Sequence, residues 1–217
     1  GVLAHCLNAL DDRPLLRSLL LHLDGWITLK EEPPASAYPS VTGGTLGKLA
    51  QYTDGFPKLP AIRTPSKVPE PSRLDFGERF KVDGIPELVP PRAGRMFTAL
   101  VPLPDSDGLD KAGVRLPDVT APLGTYTGWN PQNAATGAPE RLARSGGSFV
   151  PFARTDNERI AANDPRSSLQ ERYPTRAAYR QAYAAATLAL VEKGLILGSE
   201  VNVMVDRAAA FYDRVMG

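Results

Sequence analysis

The sequence predicts a mixed α/β fold built from a core helix, long proline-rich wrapping loops, a β-hairpin and a C-terminal helical pair. Three observations carry that prediction. Leu16, Leu19, Leu20, Leu23, Trp26 and Ile27 recur at three- and four-residue spacing, the period of an amphipathic helix. Phe97, Ala99 and Val101 alternate with Thr98, Leu100 and Pro102 ahead of Asp107-Gly108, the pattern of a strand running into a turn. Later, the stripe Tyr179, Tyr183, Ala186, Leu190 and Val191 is followed across a short link by Val201, Met204, Val205, Ala208, Phe211 and Tyr212.

The first helix is expected from near Arg13 to near Leu29. Asp11 and Asp12 offer acceptors for its free N–H groups, and Pro14 pre-sets the backbone. Leu15 and Leu21 widen the stripe, so burial on more than one side is expected. Glu31-Glu32-Pro33-Pro34 stops the helix, because the residue before proline avoids the helical region. From Pro33 to Pro91 periodicity is weak. Tyr38-Pro39, Phe56-Pro57 and Leu59-Pro60 read as extended strips, each pinned by one apolar anchor, with Leu46, Tyr52, Ile62, Leu74, Phe76 and Phe80 as further anchors.

The hairpin is expected over Met96 to Val119, with Val114, Leu116 and Val119 answering the first arm. Its tip, Asp105-Ser106-Asp107-Gly108-Leu109-Asp110, has carboxylates at calcium-like spacing but lacks the later glutamate of an EF-hand, so a solvated turn is favoured. The stretch Val114 to Asn130 is cut by Pro117, Pro122 and Gly124 and cannot be a helix. It is the piece around which the chain is expected to be arranged, because so irregular a segment needs packing on both sides. Glu158 and Arg159 suit a short helix. Pro174-Thr175 opens the next, which ends at Gly194, and Ser199 is expected to cap the last. Four segments result: 1–32, 33–95, 96–152 and 153–217.

Composition excludes several classes. The 217 residues suffice for one sizeable core or two small domains, and 42% hydrophobic with 23% charged residues is ordinary for a globular chain. A net charge of +1 gives no reason to expect nucleic acid or an anionic membrane as partner. No run of 18 apolar residues occurs, so no transmembrane segment is expected. The lone cysteine, Cys6, cannot close an internal disulfide and no cysteine pair offers a zinc site; no cofactor is expected. The opening, Gly1 to Cys6, has neither the charged start nor the long apolar run of a signal peptide, and the preferred reading is the later part of something longer.

A complete active site is not visible. No G-x-S-x-G turn occurs, and the closest text, Ser145-Gly146-Gly147-Ser148, lacks the closing glycine. His22 falls inside the first helix, where a surface or core role outweighs catalysis. His5 is the one histidine left as a catalytic candidate, although adjacency to Cys6 does not make a Cys–His pair. Tyr126 and Trp129 either line a ligand pocket or act as packing anchors of an irregular loop.

Several of these stretches, taken in order, resemble the C-terminal region of a bacterial α/β-hydrolase domain-containing family of secreted or envelope-associated proteins. They include residues 10–19 (LDDRPLLRSL), 33–39 (PPASAYP), 44–46, 100–102, 105–108, 112–117, 125–130 (TYTGWN), 147–152 (GSFVPF) and 171–174. The most specific is TYTGWN. The resemblance implies the C-terminal portion of an α/β-hydrolase-like fold, with the nucleophile and most of the sheet upstream. It places a catalytic-type histidine shortly before the helix beginning at Asp12, and His5 lies closer to that helix than the pattern has it. Arg115, Tyr126, Trp129 and Asn130 are the expected substrate-pocket residues. The implied partners are a small-molecule ester or amide and the upstream part of the same protein, and the implied location is secreted or periplasmic. The competing reading is a non-catalytic module that binds a protein through its apolar strips.

Overall fold

The computed structural model describes residues 2–60, 62–139, 141–143 and 146–217; Ser145, part of the closest serine-turn text, lies outside them. The chain opens with β1 (Cys6–Leu7) and α1 (Arg13–Leu29). Then come β2 (Leu46–Gly47), α2 (Leu49–Gly55), β3 (Ser72–Asp75), α3 (Glu78–Asp83), β4 (Arg92–Met96) and β5 (Val101–Pro102). The second half holds α4 (Pro117–Thr120), β6 (Gly124–Tyr126), β7 (Ser148–Pro151), α5 (Asp156–Ala161), α6 (Leu169–Arg172), α7 (Arg176–Glu192) and α8 (Val201–Met216). The described strands pair in three small antiparallel sheets: β1-β7-β6, β2-β5 and β3-β4.

The core is built on β6 and the residues flanking it. Residues 121–127 are buried without a break. Tyr126 pairs with Phe149 on β7, and their rings lie 5.0 Å apart. Gly124 is required there, because a Cβ would sit 2.5 Å from the Val150 carbonyl oxygen and 2.7 Å from Pro151 Cα. Thr125 donates its hydroxyl to the Asp107 carbonyl and accepts from Arg166 at 2.8 Å. Arg166 is itself buried. It grips Asp164 through two nitrogens, donates to the Val150 and Pro151 carbonyls, and lies over the Phe152 ring at 4.9 Å. No buried side-chain nitrogen or oxygen among the described residues is left without a hydrogen-bond partner, which is what permits a loop to lie inside a core.

The C-terminal helices pack against that sheet. Thr175 caps α7 by accepting the Ala178 N–H at 3.1 Å. Arg176–Asp213 and Arg180–Asp206 ion pairs run in opposite sequence order along α7 and α8, so the pair is antiparallel, as the sequence predicts. Tyr179 stacks on Tyr212 at 5.0 Å and meets Tyr173 edge-on at 5.1 Å. Ser199 is not the cap of α8: a 3₁₀ turn over Gly198–Glu200 leads into the helix, and Glu200, at the N-cap, makes no side-chain bond to it.

Three other expectations are corrected. The turn at Asp107-Gly108 forms, with Asp105 accepting the Asp107 and Leu109 N–H groups at 3.0 Å each and an antiparallel bridge joining Pro104 to Asp110, but the pairing does not extend to the long hairpin expected over Met96 to Val119. Val101–Pro102 pairs instead with Leu46–Gly47, and the second arm gives way to α4, which Pro117 starts at its first turn. The Asp107 carboxylate is engaged by Arg172, leaving a braced turn rather than an open cation loop. At the start of α1 only one of the two expected acceptors is used: Asp11 takes the Arg13 N–H at 3.1 Å, and Asp12, at the N-cap, makes no side-chain bond to the helix.

The third correction concerns burial of α1. Only Pro14 and Ser18 are buried on it, where Ser18 and His22 both meet the Gly194 carbonyl, at 2.7 and 2.6 Å. At about 100° per residue, Arg13, Arg17, Asp24 and Thr28 share a narrow polar strip. Leu16, Leu19, Leu20, Leu23, Trp26 and Ile27 share a different sector about 120° wide, and all six are exposed, Trp26 at 52%. The breadth of the stripe, which suggests burial on two sides, therefore corresponds to one covered face and one bare apolar face.

The proline-rich segment is likewise split. Tyr52, Phe56 and Leu59 form a small second core, joined by Trp129. From Ile62 to Leu100 no residue is buried, and β3, α3 and β4 form an arm that packs on itself, with Phe76 and Phe80 at 4.5 Å.

Candidate functional site

Asp118 comes from the first turn of α4, where Pro117 fixes the backbone and the helix packs against α7. Its carboxylate accepts the Tyr183 hydroxyl at 3.0 Å. Burial raises the Asp118 pKa above the ordinary carboxylate range; the Tyr183 bond and the nearby Arg207 oppose that shift without cancelling it. Asp118 faces a cavity of about 400 Å³ whose other walls are Leu10 to Arg13, Tyr126, Arg207, Phe211 and Arg214. Arg207, Phe211 and Arg214 stand at i, i+4 and i+7 on α8 and so present one face to it.

The charges around the cavity are unequally committed. Asp11 is gripped by Arg13 at 2.7 and 2.8 Å and by Arg207, and these hold its carboxyl well below the usual range, with Arg13 the larger influence. Arg214 has no ion pair among the described residues and lies 5.5 Å over the Phe211 ring. Burial and the Asp118 charge push the Tyr126 phenol far up, so it stays protonated. The cavity thus combines a carboxyl that holds its proton more tightly than usual, a free guanidinium and an aromatic wall. That set can bind an oxyanion or carbonyl and exchange one proton. Its described lining contains no serine, cysteine or histidine.

Of the residues expected from the sequence, Tyr126 alone lines this cavity. Arg115 pairs with Asp105 at 3.1 Å and donates to the Asp110 and Val119 carbonyls, bracing the loop between β5 and α4; it borders a separate apolar cavity of about 610 Å³. Trp129 donates to the Tyr52 hydroxyl at 2.8 Å and packs on Phe56, serving the second core. Asn130 is fully buried and ties the His5 and Gly147 carbonyls together at 3.1 and 3.2 Å. The four do not converge on one pocket, because the polar atoms of Arg115, Trp129 and Asn130 are already used in bracing loops. The His5 ring is half-buried with its pKa lowered by desolvation, and it has no hydrogen bond or ion pair among the described residues. Neither histidine is bonded to a serine or a carboxylate there. Among the described residues no group of three or more His, Cys, Asp or Glu is arranged to hold a metal.

Asp118, Arg207 and Arg214 are missed by the sequence reading, yet a signal exists for the arginines. Their seven-residue spacing with Phe211 between them is as regular as the apolar stripe beside it. Asp118 gives no such sign, because an aspartate after proline reads as a helix start.

A family model described as an alpha/beta hydrolase domain matches residues 2–206. No curated protein and no solved structure matches the chain.

Proposed function

The chain belongs to the alpha/beta hydrolase domain family, and on that premise we propose that it is the C-terminal part of a serine-type hydrolase of esters or amides. In this reading the nucleophile is carried upstream, and this chain supplies walls of the substrate cleft. The observation that carries the reading is the bare apolar sector of α1. In a layered α/β fold a helix with one apolar sector buries it against a sheet, and the described chain offers no sheet to that sector. The cavity beside Asp118 lies at the N-terminal end of that helix, through Leu10 to Arg13. There Tyr126 and Arg214 would hold the acyl or leaving group, while Asp118 would exchange a proton with it.

Turnover of p-nitrophenyl esters by this chain and by an upstream-extended polypeptide tests the reading. The extended protein should hydrolyse the ester and the short chain should not exceed buffer. The rival, a non-catalytic module binding a partner through apolar strips, draws support from histidines that have no hydrogen bond to a serine or a carboxylate among the described residues. It predicts no turnover from either polypeptide.

A further inference from the structure

We propose that the arm formed by β3, α3 and β4 carries a binding site for a small organic anion, a carboxylate or phosphate borne on a short apolar body. The site is a cleft of about 410 Å³, within the range of small-molecule pockets. Three arginines line it: Arg73 from β3, and Arg92 and Arg95 from β4. Their convergence is not what strand alternation gives. Arg92 and Arg95 are three apart, so in a regular strand they face opposite sides.

The pairing register explains the convergence. Leu74 pairs with Ala93 and Ser72 with Met96, so one residue of β3, Arg73, stands opposite two of β4, Gly94 and Arg95. That is a β-bulge, and it returns Arg95 to the side of Arg92. Arg73 shares that side, being two residues from Asp75, the partner of Arg92. Gly94 fits the bulge, since a Cβ there would stand 3.2 Å from the Arg73 carbonyl oxygen.

The cations outnumber the acids. Neither the Arg73 nor the Arg92 guanidinium has a hydrogen bond or ion pair to another described residue, and that of Arg95 only overlies the Phe97 ring at 6.0 Å. Two acids share the cleft, Asp75, which accepts the Gly77 N–H at 3.0 Å, and Glu78, which pairs with Lys81 at 3.0 Å, so the three arginines and Lys81 leave an excess of positive charge. Phe76, Phe80 and Phe97 supply an apolar wall beside the guanidinium groups. Guanidinium forks match the geometry of a carboxylate or phosphate, and the phenyl rings match what such a group is attached to. The site stands on the arm alone and does not depend on the hydrolase reading.

Titration calorimetry on the chain as it stands tests this with four probes: 4-phenylbutyrate, phenyl phosphate, 4-phenyl-1-butanol and inorganic phosphate. At least one aromatic anion should bind, with the preferred one identifying the head group as carboxylate or phosphate. The alcohol and inorganic phosphate should bind at least tenfold more weakly. The double variant R73Q/R92Q changes only exposed side chains and should melt as the parent does while losing at least tenfold in affinity. The proposal is overturned if neither aromatic anion binds, or if the variant binds as tightly as the parent. It is equally overturned if the alcohol or inorganic phosphate matches the aromatic anions, or if the arm engages anionic phospholipid vesicles and no monomeric probe.

Discussion

Tyr183 donates its hydroxyl hydrogen to Asp118 across 3.0 Å, tying α7 to α4 at the wall of the cavity that Arg207 and Arg214 share. The tyrosine is fully buried, so the bond has no solvent substitute. Tyr183→Phe should therefore cost about 1–3 kcal/mol, the usual penalty for leaving a buried partner unsatisfied. Urea denaturation at neutral pH measures it, and a loss near zero would mean water replaces the phenol.

Because burial raises its folded-state pKa, Asp118 keeps its proton at pH values where the unfolded chain has lost it. The contribution of Asp118 to stability should then fall as pH rises from about 4, the unfolded carboxylate value, through its folded pKa. Asp118→Asn cannot ionise and can still accept from Tyr183. Its melting temperature relative to wild type should climb between pH 4 and pH 8. A difference that stays flat over that range contradicts the assignment.

Arg166 fastens Asp164, Thr125 and two β7 carbonyls from a buried position. Arg166→Met keeps much of the apolar stem but strands the Asp164 charge. The expected loss is about 3–5 kcal/mol, that of breaking a buried pair from one side. Chemical denaturation of the variant reads it directly.

The bare sector of α1 should make the chain self-associate. Replacing Leu16, Leu20 and Leu23 together by Gln removes exposed apolar surface without touching Pro14 or Ser18, the buried contacts. Light scattering should show a larger monomer fraction and less dye binding, with the melting temperature unchanged within a few degrees. A large fall in melting temperature would show that the sector is already packed.

Helices were the legible part of this sequence, and the reason is periodicity. α1, α7 and α8 each repeat an apolar pattern over four turns or more, and their limits lie close to those expected. What periodicity cannot report is which side of α1 has a partner, since a covered leucine and a bare one read alike. The hairpin is shorter than expected for a related reason. Asp107-Gly108 gives a local turn, but whether Val101 pairs forward with the second arm or back with Gly47 is a tertiary choice.

The site was less legible still. Arg115, Trp129 and Asn130 attract notice as polar or aromatic groups in an irregular loop, yet irregular backbone consumes such groups to satisfy itself. Tyr126 differs because its ring, not its hydroxyl, is what the core uses, so one edge is left to the cavity. The arginine cleft on the arm depends on a one-residue register slip that no spacing rule reveals.

Labelling with a fluorophosphonate, which captures an activated serine, followed by mass-spectrometric mapping, tests the hydrolase account most directly. In the upstream-extended polypeptide the label should fall on a serine before Gly1, and the short chain should remain unlabelled. A label on any serine within residues 1–217, such as Ser148 or Ser168, would place the nucleophile in this chain and contradict the account.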